Sequence, residues 1–151
     1  MSIGFGGAIH IHEKTKPQQE LSQHTIDPGD IVEIVKSNLE TYSAIIVTVR
    51  ATYHPDAKYG VLVAWLYSQD GQNFDSPEDA WEQGNYERLT FKKGQTRQRT
   101  ILIPAFTPYV KIQIVNLDIS YPVTVDVWTS LMRGVVVVMH TAGGFEEITI
   151  K

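Results

Sequence analysis

The chain has 151 residues, the length of one domain, and is 42% hydrophobic and 20% charged, which excludes a disordered or collagen-like protein. Its 17 acids against 13 bases give a net charge of -4, which argues against a nucleic-acid partner. Without any Cys there is no disulfide, no thiolate metal site and no cysteine nucleophile.

No apolar run approaches the ~18 residues of a membrane-crossing helix, so no membrane partner is expected. Met1 to Gly7 shows neither a basic nor an apolar signal region. Synthesis in the cytoplasm, without secretion by a signal peptide, is the expectation.

In chain order, Gly4, Gly6 and Gly7 precede a strand-like stretch, Ala8-Ile9-His10-Ile11-His12. Residues 14–23 are polar and read as a flexible joint. Period-two alternation then recurs almost continuously. Residues 30–35 follow a Pro28-Gly29 turn. Residues 43–53 set Ile45, Val47, Val49, Ala51 and Tyr53 on one face and Thr48, Arg50 and Thr52 on the other. Residues 60–67 are apolar on both faces, as in a central strand covered on both sides.

Ser76-Pro77-Glu78-Asp79 is a helix start: a capping serine, proline at the first helical position and an acid to close the capping box. It predicts one or two turns near 77–83. Four further strands follow, at 87–91, 97–103, 109–115 and 123–131. In the last, Val123, Val125, Val127 and Leu131 face inward, and Thr124, Asp126, Trp128 and Ser130 outward.

Seven strands between residues 30 and 132 predict an all-β, antiparallel sandwich of jelly-roll type. The organisation expected is an N-terminal arm (1–24), the sandwich (25–133) and a C-terminal hairpin arm (134–151). The run Val135-Val136-Val137-Val138-Met139 is apolar, uncharged and free of proline. Such a strand cannot stand as a bare edge in water. Either the N-terminal strand or another subunit must cover it. A homo-oligomer is expected, with Val135, Val136, Val137, Val138 and Met139 at its interface; the alternative is that the arms simply add strands to one sheet.

Several constellations could carry chemistry. His10 and His12 share a strand face and could hold a metal, but no third ligand is identifiable and two outward histidines are the simpler reading. Asp70-Gly71-Gln72-Asn73-Phe74-Asp75, with Glu78 and Asp79, is rich in oxygen ligands, yet Asp-Gly between strands is first a turn. Arg88, Lys92, Lys93, Arg97 and Arg99 gather in one hairpin beside acids that can neutralise them. Outward Trp128 with Asp126, and Lys111, Gln113 and Arg50 if their strands pair with it, could stack a sugar ring or anchor a protein contact. No Gly-x-Ser-x-Gly or His-Glu-x-x-His motif is present. A non-enzymatic protein without cofactor or metal is expected.

The segments 43–49, 66–74, 109–114 and 123–125 alternate an apolar strand, a Ser-x-Asp-Gly-x-Asn-aromatic turn and a Tyr-Val-x-Ile-x-Ile strand. This phrasing resembles small β-sandwich modules of tailed-phage virion proteins and of carbohydrate-binding proteins, over roughly two-thirds of the chain. The resemblance implies a capsid decoration, adaptor or tail subunit that meets other virion proteins. Its alternative implication is a glycan-binding module, for which Trp128, read from its strand position, is the candidate. It transfers no functional residue.

Overall fold

The computed structural model describes residues 8–139 and 145–150, with side chains described from residue 12 to residue 134. The elements are β1 (Ala8–Lys14), β2 (Gln18–Ile26), β3 (Ile31–Lys36), β4 (Ala44–Tyr53), β5 (Val61–Ser68), α1 (Pro77–Gln83), β6 (Tyr86–Arg88), β7 (Thr96–Pro104), β8 (Tyr109–Asn116), β9 (Val123–Met139) and β10 (Phe145–Ile150). All strand pairs are antiparallel.

One sheet carries β2, β9, β4 and β7 side by side, and the other β3, β8, β5 and β6. Successive strands from β2 to β5 and from β6 to β9 thus cross between sheets in the pattern of a jelly roll. The expected sandwich is the fold found, with its short helix. Ser76 caps that helix: its Oγ accepts from Asp79 N at 3.1 Å, and Asp79 Oδ2 accepts from Ser76 N at 2.9 Å. Gly84, in the left-handed conformation at φ 74°, ends it.

Alternation places the core. Ile45, Val47 and Val49 of β4, Val125 and Val127 of β9 and Ile103 of β7 face Val63 of β5 and Val110, Ile112 and Ile114 of β8, all fully buried. Each contributes about 1.5–3 kcal/mol relative to exposure. Thr48, Arg50 and Thr52 lie on the outer face of β4, as the sequence pattern predicts.

Strand β9 differs from the expectation of a sandwich strand followed by a separate arm. It is one 17-residue strand. Met132 pairs with both Lys14 and Ala44, so β1 and β4 lie on opposite edges of β9. Val135 pairs with both Ile11 and Thr149, which puts β10 on the β4 side. The far half of β9 is thus flanked by β1 and β10 of the same chain. The side chains of Val135 to Met139, and residues 141–144 of the hairpin turn, lie outside the described residues.

The polar segment 14–23, expected to be a joint, is instead mostly β2. Its burial pattern explains the misreading: only Leu21 and Ile26 of this strand meet the core. As a solvated edge strand it carries Gln, Glu, Ser and His. Register shifts and a positive φ of 47° at Gln23 erase its alternation.

The two flanks of the sandwich are closed by ion pairs between sheets. Lys36 Nζ of β3 meets Glu20 Oε1 of β2 at 2.7 Å, and Thr129 Oγ1 donates to the same oxygen at 2.7 Å. Arg99 of β7 meets Glu87 of β6 at 2.8 Å on the other flank. The free edge of β7 reads Thr96-Arg97-Gln98-Arg99-Thr100, polar throughout.

Burial alone would raise the pKa of Glu20, but the bonds from Lys36 and Thr129 outweigh it and hold it below 4.5. A depressed folded value means that Glu20 stabilises the fold at neutral pH and ceases to as pH falls through that value. Glu20→Gln should cost about 1–2 kcal/mol at pH 7. Urea unfolding of both proteins from pH 7 to pH 3 checks this: the gap should narrow in acid, and a pH-independent gap would contradict it.

Candidate functional site

The Trp128 neighbourhood is built where β9 runs between β2 and β4. Arg50, opposite Asp126 in register, lays its guanidinium 5.1 Å from the centre of the Trp128 ring. Arg50 also meets Asp126 Oδ2 at 3.2 Å. Asp126 accepts from Gln23 N at 2.8 Å and Gln23 Nε2 at 3.0 Å. The Gln23 backbone bond leads in holding its carboxyl below the usual range, against burial and with help from Arg50. Trp128 is half-buried, with one cation already against it.

Lys111 and Gln113 are not part of this neighbourhood. They face outward from β8, on the far side of the sandwich, where Gln113 Nε2 donates to Glu33 at 2.8 Å and Lys111 Nζ lies 4.3 Å from the Phe74 ring. Alternation assigns a residue to a face of its own strand, but not that strand to a sheet. Of the expected grouping, Asp126 and Arg50 lie with Trp128, and Lys111 and Gln113 do not.

At one end of the sandwich, buried Asn116 and Asp118 tie three loops together. Asn116 Nδ2 donates to the carbonyls of Ile26 and Tyr121 at 3.1 and 3.0 Å, and its Oδ1 accepts from Asp118 N at 3.0 Å. The Asp118 carboxylate accepts four backbone N–H groups, from Lys58, Tyr59, Ser120 and Tyr121. Burial pushes its pKa up, and these four bonds pull it down further, to about 2. A hollow of about 570 Å³ beside it is lined by Tyr59 and Ile119. With its oxygens occupied by amides, Asp118 serves as a loop clamp and not as an acid or base.

Asp70 is a turn residue, as the simpler sequence reading has it. It accepts from Asn73 N at 2.8 Å, Gln72 N at 2.9 Å, Asn73 Nδ2 at 2.7 Å and Ser68 Oγ at 3.0 Å. These bonds, led by Asn73 N, hold its carboxyl well below the usual range. Among the described residues no three of His, Cys, Asp or Glu gather as for a metal. His12 is exposed, and the His10 side chain lies outside the described residues. Within the basic hairpin, Arg99 is paired to Glu87 and Arg97 bonds Gln95 at 2.9 Å.

A second aromatic site was not legible in the sequence. Trp81 of α1 lies flat on Tyr86 of β6, with ring centres 4.4 Å apart and planes 9° apart, and is 55% exposed. Helix α1 carries it over β5, where the small Ala64 leaves a hollow of about 320 Å³. Ala64 pairs with Tyr86 on one side and Gln113 on the other, so the three form one row across the sheet. The only sequence signal was the helix start before Trp81.

No known protein family and no curated protein matches the chain. Two solved structures are similar in fold. A family GH115 4-O-methyl-alpha-glucuronidase with specificity for decorated arabinogalactans has 16% identity and a TM-score of 0.43, over 76% of this chain and 16% of its own. The enzymatically active domain of tailspike protein 4 of bacteriophage CBA120 has 9% identity and a TM-score of 0.45, over 86% of this chain and 20% of its own. The chain spans a fifth or less of either protein.

Asp118→Ala should cost at least about 2 kcal/mol, because it strands several backbone donors. Its depressed folded value predicts that amide protection at Lys58, Tyr59, Ser120 and Tyr121 survives at pH 4 and is lost as pH falls toward 2. Hydrogen exchange followed by NMR reads both; equal protection in the variant would refute the clamp.

Proposed function

We propose that the chain is a non-enzymatic interaction subunit that self-associates through the ribbon of β1, β9 and β10, the kind of module that builds capsid decorations, adaptors or tails. The observation that carries this reading is the overrun of β9. Its last residues continue beyond β2 and β4 and are flanked only by β1 and β10. Among the described residues neither flanking strand packs substantially on any element but β9.

The edges of the overrunning strand are satisfied within the chain, so hydrogen bonding does not call for a partner. Its faces do. A strand apolar at five consecutive positions has no polar side to turn to water. A ribbon of three strands and about six residues is about 14 Å by 20 Å, or about 300 Å² per face. A stable interface needs about 800 Å² from each partner. One ribbon face is too small, so a stable assembly buries both faces together with neighbouring surface, as a closed ring of subunits does.

In analytical ultracentrifugation the full chain should sediment as an oligomer at micromolar concentration. Val137→Asp should shift it to monomer with little change in the melting of the sandwich. A full chain that stays monomeric would end this reading.

A further inference from the structure

The outer face of the β3-β8-β5-β6 sheet carries a binding site separate from the ribbon, and we infer that it takes a pyranose ring of a glycan. Three features meet there. The first is an immobilised aromatic: one face of the Trp81 indole rests on Tyr86, so its exposure belongs to the other face and the edges. Helix α1 is fixed by its capping box and closed by Gly84, so the platform is held before any ligand arrives.

The second feature is a floor. Ala64 sits beside Tyr86 in the row, and Leu62 and Val115 continue the apolar surface in the next. The hollow over them, about 320 Å³, lies at the small end of ligand sites and is too narrow for a helix of about 10–12 Å diameter.

The third is unused hydrogen-bonding capacity at the rim. Arg88 makes no side-chain hydrogen bond or ion pair among the described residues, although it lines the hollow. Gln113 has its amide nitrogen engaged by Glu33, which fixes the side chain and leaves Oε1 as an acceptor.

A pyranose presents an apolar C–H face and a rim of hydroxyls that both donate and accept. The site offers the complement: a ring to stack on, an apolar floor, a donor in Arg88 and an acceptor in Gln113. Trp128, on the opposite sheet, is a poorer platform, because Arg50 already lies over it.

The test is a printed array of neutral and acidic oligosaccharides probed with the full chain, followed by calorimetric titration of the best oligosaccharide. The variants are Trp81→Ala, Arg88→Ala and Trp128→Ala, each checked for an unchanged melting transition. Trp81→Ala and Arg88→Ala should each weaken binding at least tenfold, with Trp128→Ala within twofold of wild type. No glycan retained by the wild type overturns the inference. So does binding that survives Trp81→Ala and Arg88→Ala, or that is lost only in Trp128→Ala. Should Trp81→Ala fail to fold, Arg88→Ala, an exposed substitution, decides alone. A monomeric chain that binds sugar would end the assembly reading and leave this one standing.

Discussion

Strand β9 has to satisfy its backbone hydrogen bonds along both edges over its whole length, and the architecture follows from how it does so. No single neighbour is long enough. One edge is covered by β2 and then β1, with Leu131 and Thr15 bonded at the changeover; the other is covered by β4 and then β10. Chain segments from both termini therefore converge on one strand. The register of β9 with β4 sets Val123, Val125 and Val127 inward, and continuity of the strand fixes the register of the ribbon. A slip of one residue would turn the core valines outward and carry Asp126 into the core.

Alternation made the sandwich legible wherever one face was buried. Strands β4, β7 and β8 carry inward Val or Ile, and their sequences announce both their limits and their inward faces; β5, apolar on both faces, announces its limits, and β9 its inward face but not its length. Strand β2 has almost no such row, and its polar sequence is physically correct for an edge. Strand β6, expected at 87–91, is only Tyr86–Arg88; Leu89 beyond it is buried and its N–H donates to Val61 O at 3.0 Å. The site residues were legible one strand at a time. Asp126 and Trp128 share a strand and lie together, whereas Lys111 and Gln113 belong to the opposite sheet. The Trp81 platform depends on where a seven-residue helix is laid across β5, which no local pattern encodes.

The acids whose titration is displaced have a common role. Asp70, Asp79 and Asp118 each accept backbone N–H groups in a loop or cap, and Asp126 and Glu20 hold one strand to another. Their values all move down, the direction that keeps a carboxylate charged and fixed. A general acid would need the opposite displacement. The displaced carboxylates are thus fasteners.

The charged edge of β7 has a consequence for how copies of this chain can meet. Arg97 and Arg99 line the outer rim of the larger sheet, Arg99 paired to Glu87, so the rim is polar and charged and offers no apolar edge to a second sheet. Lateral stacking of sheets into an open-ended fibril is thereby penalised.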